Sequence, residues 1–156
     1  MNMKTLIVMR HGHAENWNTT DFDRKLTAEG LEAVNAATIN LRADGLYPDQ
    51  IWCSSAARAL QTARRAAAIL DVTDENVVPL RAFYHIDDCE LLREIQHCAD
   101  DISTLMVVGH NPAVSVLVSG IGGEMRCLRP AGMAVLRDIT NSWQMFGAEI
   151  ESVRYC

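Results

Sequence analysis

Three short apolar segments, each ending in polar residues, constrain the fold of this chain more than any other feature. They are residues 5–9, 50–53 and 104–108, and a helix-like spacing of apolar residues follows each one along the chain. Short apolar runs of this kind are typical of strands buried on both faces of a sheet. Strands that alternate with helices predict an α/β fold, a three-layer α/β/α sandwich with a mostly parallel central sheet.

Four helices are predicted, and capping signals mark where two of them begin. In residues 26–43, Thr27 is the candidate N-cap and Gly45 lies beyond the end. The predicted buried face of this helix has four residues: Leu31, Val34, Thr38 and Leu41. Residues 87–98 begin with Asp87 and Glu90, a capping signal. The alanine-rich residues 56–70 and a segment from Pro112 to about residue 118 are the other two helices.

Three further segments have weaker strand character. Residues 77–80 contain Pro79, which indicates an edge strand or no strand at all. Residues 133–136 and 144–153 are predicted to be two late strands, joined across residues 140–142.

Length and composition indicate one ordinary globular domain spanning residues 1–156. With 49% hydrophobic and 22% charged residues, the chain is unlike a disordered protein. We expect no membrane association, because no apolar run reaches the ~20 residues of a membrane helix. The net charge of −6 argues against nucleic acid as a partner. Five cysteines without a C-x-x-C pair indicate reduced thiols, and we expect a cytoplasmic protein.

The ends of the three predicted strands carry the residues that indicate chemistry. The first strand ends in Arg10-His11-Gly12, the second is followed by Arg58 one turn into a helix, and the third is followed by His110. Because ligands bind beyond the carboxyl ends of parallel strands, these side chains are predicted to converge on one site.

Two imidazoles among guanidinium groups suit the transfer of a phosphoryl group. Arginine charges are expected to lower the pKa of a neighbouring histidine, which keeps its ring neutral and nucleophilic. The same arginines can hold the phosphoryl oxygens while the neutral histidine attacks phosphorus. Gly12 allows a backbone carbonyl to approach His11 and fix which ring nitrogen attacks.

Four ordered motifs resemble those of the histidine phosphatase (phosphoglycerate-mutase-like) superfamily. They are Arg-His-Gly at residues 10–12, Leu-Thr-Ala-Glu-Gly at 26–30, Ser-Ser-Ala-Ala-Arg-Ala-Leu-Gln-Thr at 54–62 and Gly-His-Asn-Pro at 109–112. The short chain resembles the compact SixA branch, the phosphohistidine phosphatases. The resemblance implies a phosphoglycerate-mutase-like sandwich and a metal-independent phosphatase without a cofactor.

The resemblance also implies roles for individual residues. His11 would be the nucleophile, Arg10 and Arg58 would bind phosphate, and His110 would donate to an oxygen of the transferred group. Arg24 lies where this branch often has a further basic residue near the pocket, and Gly12 adjoins the phosphate. The expected partners are a phosphorylated substrate, such as a phosphohistidine-bearing protein, and inorganic phosphate or sulfate in the site.

A general acid is the part of the family pattern that the sequence does not identify clearly. Larger members place a carboxylic acid where this chain has residues 83–88, and His85 and Asp88 are the candidates here. Asp87 is more simply a helix N-cap. The compact branch is known for lacking a clear acid, and an imidazole is a better leaving group than an alkoxide. This favours a phosphoramidate substrate.

Alternative functions remain open at this point. A zinc hydrolase would use His11, His13 and His110 with Asp87 or Asp88, but the nearby arginines would repel the cation. A non-catalytic phosphoprotein-binding module would need charge but no nucleophile. A mutase usually carries longer cap insertions than 156 residues allow. A small-molecule phosphomonoesterase or phosphoramidase on the same fold is the remaining alternative.

Overall fold

The computed structural model describes residues 2–16 and 19–156, and a six-stranded sheet runs through these residues. Its strands are β1 (Lys4–Arg10), β2 (Gln50–Ser54), β3 (Val77–Leu80), β4 (Thr104–Gly109), β5 (Met133–Asp138) and β6 (Ile150–Tyr155). Their order across the sheet is β3-β2-β4-β1-β5-β6. The first four pair in parallel, whereas β5 is antiparallel to both β1 and β6. The predicted mostly parallel sheet is therefore confirmed, and β3 is an edge strand.

Four helices cover the two faces of the sheet. They are α1 (Ala28–Ala43), α2 (Ala57–Ile69), α3 (Asp88–Gln96) and α4 (Ala113–Gly122). Alternation along β1 separates two cores: Ile7 and Met9 pack with α1 and α2, whereas Leu6 and Val8 pack with α3 and α4. Because both faces of β1 are covered, its whole central run is apolar, as the sequence predicted.

The predicted caps are confirmed. Thr27 accepts a hydrogen bond from the Gly30 amide at the start of α1, and Asp87 accepts one from the Glu90 amide at the start of α3. In the two described stretches, no helix combines the length and the apolar character that crossing a bilayer requires.

Two sequence predictions about local structure are wrong. The predicted strand at 144–153 begins only at Ile150, because Trp143–Met145 form a 3₁₀ turn. Trp143 is completely buried, and its ring nitrogen donates to the Ile102 carbonyl at 2.7 Å. Burying this indole turns the chain inward before the strand can start. Leu31, predicted to face the core, is 41% exposed.

The position of Leu31 follows from the close approach of α1 to the segment after β1. α1 buries Gly30, and a Cβ atom there would lie 2.1 Å from the carbonyl oxygen of His13. The face of α1 that contains Gly30 therefore packs inward, and Leu31 lies on the exposed side of the helix. Only glycine allows this contact, so Gly30 fixes the distance between α1 and the segment that carries His11.

Replacing Gly30 and Gly120 with alanine should change stability in opposite directions. Gly30→Ala forces a Cβ atom into backbone and should destabilise the protein by about 1–3 kcal/mol, the usual cost of overpacking. Gly120 lies in α4, where a Cβ atom meets nothing within 4 Å, so Gly120→Ala should be neutral or stabilising. Urea unfolding of the two variants measures this difference, and equal effects would contradict the role of Gly30.

Candidate active site

The carboxyl ends of β1, β2 and β4 bring two histidines and one arginine into contact. His11 follows β1, His110 follows β4, and their ring centroids lie 5.0 Å apart. Arg58, in the first turn of α2, donates from Nε to His11 Nε2 at 3.3 Å. Arg58 and His11 are both buried.

The hydrogen bonds of His11 fix which ring nitrogen carries the hydrogen. Its Nδ1 lies 2.7 Å from the carbonyl oxygen of Gly12. An arginine Nε can only donate, so Nε2 of His11 accepts and Nδ1 carries the hydrogen that bonds Gly12. The lone pair of Nε2 therefore faces Arg58 and the site. The sequence expectation of a carbonyl beside this ring agrees with this geometry.

The peptide that binds Nδ1 is itself held tightly. The Gly12 amide donates to Thr62 Oγ1 in α2 at 3.1 Å. A Cβ atom on Gly12 would come within 2.9 Å of the Gly30 carbonyl oxygen and of Val34. Helices α1 and α2 thus both contact this one peptide, which leaves the His11 ring little freedom to rotate.

Burial is the main cause of the unusual acidity of both histidines. It lowers the pKa of His11 to about 4, helped by the charges of Arg58, Arg10 and Arg24, while the bond to Gly12 opposes the change. Burial likewise lowers the pKa of His110 to about 3, helped by His11 and Arg58. The sequence argument had the direction right, but it named arginine charge as the cause, and desolvation is the larger contribution.

His110 is positioned from the end of β2. Its Nε2 lies 2.8 Å from Ser54 Oγ, which already accepts the Ala56 amide at 3.2 Å. The hydroxyl hydrogen of Ser54 is therefore available to His110 Nε2, which favours the tautomer with the ring hydrogen on Nδ1. That Nδ1 is buried and has no hydrogen-bond partner among the described residues.

The other predicted basic residues surround this pair. Arg10 Nη1 donates to the Leu128 carbonyl at 3.2 Å, and its buried Nε has no partner within the described ranges. Arg24 donates from Nε to the Glu15 carbonyl at 2.6 Å and from Nη1 to Asp21 Oδ1 at 2.9 Å. Arg24 thus contacts Asp21, and it is near enough for its charge to lower the pKa of His11.

The two candidates for a general acid lie in different places. His85 stacks on Tyr84 with ring centroids 4.0 Å apart, and its charge is among those that lower the pKa of His110. Asp88 begins α3 and lines a groove of about 460 Å³ between α3 and α4, with Cys89 and Val116. His85 is linked to the histidine pair through Tyr84, whose ring centroid lies 5.7 Å from that of His110.

Sequence reasoning missed Asp21 and Tyr84. Arg58 donates from Nη1 to the backbone oxygen of Asp21 at 2.7 Å and from Nη2 to its carboxylate at 3.2 Å. The Tyr84 hydroxyl donates to the same carboxylate oxygen at 2.5 Å. Asp21 lies in an irregular segment with no periodic pattern, so its proximity to Arg24 in sequence was the only available signal.

The zinc alternative finds no support in the placement of its ligands. In the part of the chain that the structure describes, the one group of three close metal-ligand side chains is Asp87, Asp88 and Cys89. His11 and His110 do not belong to it, and Asp87 is engaged as a helix cap.

Both imidazoles are expected to be neutral at pH 7, because burial lowers the pKa of His11 to about 4 and that of His110 to about 3. Unfolding restores ordinary pKa values, so the unfolded chain binds more protons between about pH 6.5 and pH 4. The free energy of unfolding should therefore fall as the pH drops through this window.

NMR titration of the ring protons measures the pKa values of His11 and His110. Urea unfolding at several pH values should show a shallower loss for His11→Asn than for the unmodified chain. A His11 midpoint near its ordinary 6.5 would contradict the expectation.

Comparison with other proteins places this geometry in a family. A profile of the histidine phosphatase superfamily (branch 1) matches residues 6–87. An uncharacterized chloroplastic protein of Arabidopsis thaliana is 31% identical over 152 residues, which cover 90% of this chain and 69% of that protein.

Two solved structures superpose on most of this chain. A protein from Nakamurella multipartitia, assigned as the phosphohistidine phosphatase SixA, superposes with a TM-score of 0.82 at 27% identity, covering 99% of this chain and 96% of that one. A protein histidine phosphatase SixA complexed with tungstate superposes with a TM-score of 0.77 at 20% identity, covering 85% and 86% of the two chains. The chain therefore belongs to the histidine phosphatase superfamily (branch 1), and it has the fold of the SixA-type members.

Proposed function

We propose that the protein is a phosphatase that forms a phosphohistidine on His11 and removes phosphate from phosphohistidine in a protein. One observation carries this proposal: a buried, neutral His11 presents the lone pair of Nε2 beside the Nε–H of Arg58, 3.3 Å away. A neutral imidazole is a competent nucleophile, and the adjacent guanidinium supplies the charge that a phosphoryl group needs.

The first step forms a bond between His11 Nε2 and phosphorus and breaks the bond between phosphorus and the leaving group. The leaving group departs with the electron pair of that bond. The hydrogen on Nδ1 of His11 stays in its bond to the Gly12 carbonyl, 2.7 Å away, which stabilises the positive charge that the ring acquires. Water then attacks phosphorus, the bond between phosphorus and Nε2 breaks with its electron pair returning to Nε2, and inorganic phosphate leaves with the proton that the water loses.

Arg10, Arg58 and His110 bind the non-bridging oxygens in this proposal. Arg10 Nε and His110 Nδ1 are buried donors without partners among the described residues, so phosphoryl oxygens would satisfy both. Arg58 keeps two of its five N–H groups free, since three are engaged by His11 and Asp21. Donors fixed in advance stabilise the charge that develops during transfer. Arg24 acts at longer range, through its charge and its bond to Asp21.

The exposed side of the site supports a protein-borne substrate. Tyr84 is only partly buried and His85 is exposed, whereas Asp88 lies in the groove between α3 and α4. An imidazole leaving group needs less protonation than an alkoxide, so a site without a committed acid suits phosphohistidine better than a sugar phosphate. The protein from Nakamurella multipartitia, which carries the name phosphohistidine phosphatase, supports the same choice.

Small-molecule phosphomonoesterase activity is the second candidate, and one observation favours it. His85 lies against Tyr84 and close enough to influence His110, which is where an acid for a leaving alkoxide would be needed. If His85 protonates a leaving oxygen, alkyl phosphates become accessible substrates.

Replacing His11 with alanine should abolish hydrolysis of every substrate, because the covalent route is lost. Activity should fall below about a thousandth of the original, as for other catalytic nucleophiles. The matched control is His97→Ala, which removes an exposed imidazole and should retain full activity.

Rapid acid-free quenching followed by mass spectrometry should find one phosphoryl group on His11 in the unmodified protein. Retention of more than about a tenth of the activity by His11→Ala would exclude His11 as the nucleophile. Arg58→Lys should also be damaging, because a lysine cannot reproduce the two-pronged contact of a guanidinium.

The dependence on the leaving group separates the two candidate functions. Without a dedicated acid, a phosphohistidine peptide and aryl phosphates should be hydrolysed far faster than alkyl phosphates. His85→Ala and Asp88→Ala should then each lower kcat/KM on the phosphohistidine peptide by less than about tenfold, below the ~10²–10⁴ of general acid–base catalysis. A selective hundredfold loss on alkyl phosphates in His85→Ala would instead identify His85 as an acid and favour the phosphomonoesterase.

A further inference from the structure

Asp21 holds one end of the Arg58 guanidinium. Both terminal nitrogens of Arg58 donate to this single residue, Nη1 to its backbone oxygen at 2.7 Å and Nη2 to its carboxylate at 3.2 Å. The third bond of Arg58 goes from Nε to His11 at 3.3 Å. Because the guanidinium is rigid and planar, a partner that takes both terminal nitrogens fixes the direction of the Nε edge as well.

This arrangement leaves the edge that a phosphoryl group needs. Asp21 faces the terminal nitrogens, whereas Nε faces His11 Nε2. One N–H group remains unused on each terminal nitrogen. The Nε–H and an unused N–H of a terminal nitrogen therefore border the nucleophile. A phosphoryl group on His11 Nε2 would take over the Nε–H bond that His11 now accepts, and Asp21 would not have to leave.

Asp21 is itself held by two other parts of the chain. Tyr84 donates to Oδ2 at 2.5 Å, and Arg24 Nη1 donates to Oδ1 at 2.9 Å. These bonds, together with Arg58, hold the pKa of the Asp21 carboxyl far below its usual range. The side chain is 53% exposed, and three donors on an exposed carboxylate distinguish it from a solvated surface charge.

The charge of Asp21 also matters to Arg58. The Arg58 side chain is 7% exposed, and within residues 2–16 and 19–156 Asp21 is the one carboxylate at ion-pair distance from it. Exposed ion pairs contribute little on average, but a buried guanidinium is costly unless it is paired. Removing the carboxylate is therefore expected to disturb the position of the Arg58 guanidinium more than the conformation of the segment that carries Asp21.

We propose that Asp21, braced by Tyr84, is a positioning residue that holds the Arg58 guanidinium with its Nε edge toward His11, ready for the phosphoryl group. The proposal rests on the phosphatase function argued above and deepens it. Asp21 touches neither the nucleophile nor the phosphoryl group, and it acts only through Arg58. The alternative hypothesis is that the Asp21 carboxylate competes with phosphate for Arg58, and it predicts tighter anion binding when the carboxylate is removed.

The variants Asp21→Asn and Tyr84→Phe test this proposal, with Asp23→Asn as the matched control. Asp23 lies in the same 3₁₀ turn, and its carboxylate accepts from Thr20 rather than from an arginine. Asp21→Asn should lower kcat/KM and weaken tungstate binding by about 10- to 100-fold, the effect of one charge-assisted hydrogen bond. Tyr84→Phe should act in the same direction but less strongly, and Asp23→Asn should leave both quantities unchanged.

Two further measurements establish that Asp21 acts through Arg58. In an Arg58→Ala background, Asp21→Asn should cause no additional loss, because the residue it positions is absent. ¹⁵N NMR spectra of the ligand-free protein should contain a sharp Arg58 Nε–H signal, assigned by its disappearance in Arg58→Lys. That signal should broaden in Asp21→Asn and persist in Asp23→Asn.

Each other outcome would overturn the proposal. Tighter tungstate binding in Asp21→Asn would identify Asp21 as a competing anion. If Asp21→Asn lowers kcat/KM in the Arg58→Ala background as much as it does in the unmodified protein, Asp21 acts on the substrate directly. An unchanged Arg58 signal in Asp21→Asn would remove the positioning role. The NMR and tungstate measurements need no turnover, so they still decide the role of Asp21 if the protein hydrolyses no phosphorylated substrate.

Discussion

The contact between Arg58 Nε and His11 Nε2 is the interaction on which the rest of the site depends. A guanidinium cannot accept a hydrogen bond, so this contact requires a neutral imidazole with its lone pair directed into the site. Burial reinforces that state by lowering the pKa of His11 to about 4. A protonated His11 would be repelled by Arg58, so the low pKa keeps the imidazole and the guanidinium in contact at neutral pH.

The fold maintains this contact through the segment that follows β1. Both sides of β1 are packed by core residues, which fixes the strand end from which His11 projects. α1 approaches the next residues closely at Gly30, and α2 binds the Gly12 amide through Thr62. The site leaves polar atoms of Arg10 and His110 without partners among the described residues, and such atoms reduce stability. The continuous apolar packing on both faces of the sheet offsets that cost.

The parts of the fold and site that follow regular patterns could be predicted from the sequence. Apolar runs indicated the strands, and the rule for the carboxyl ends of parallel strands placed His11, Arg58 and His110 near one another. Trp143 and Leu31 were mispredicted because their positions depend on tertiary burial and on one glycine contact rather than on periodicity. Asp21 and Tyr84 are far apart in sequence and belong to irregular segments, so no local pattern could indicate that they meet.

The site has two halves with different physical character. In one half, His11, Arg58 and Ser54 are buried; Arg58 of α2 bonds His11, and Ser54 of β2 bonds His110. The half with Tyr84 and His85 is more exposed and belongs to the connection between β3 and α3. Phosphoryl transfer needs fixed donors and a fixed nucleophile, which a rigid half supplies. In the proposed reaction the leaving group faces the other half, whose Tyr84 and His85 side chains belong to no strand and to neither core. Substitution of His85 is therefore the change in this connection that can alter substrate choice while the phosphoryl chemistry stays the same, whereas Tyr84 also bonds Asp21 and through it supports Arg58.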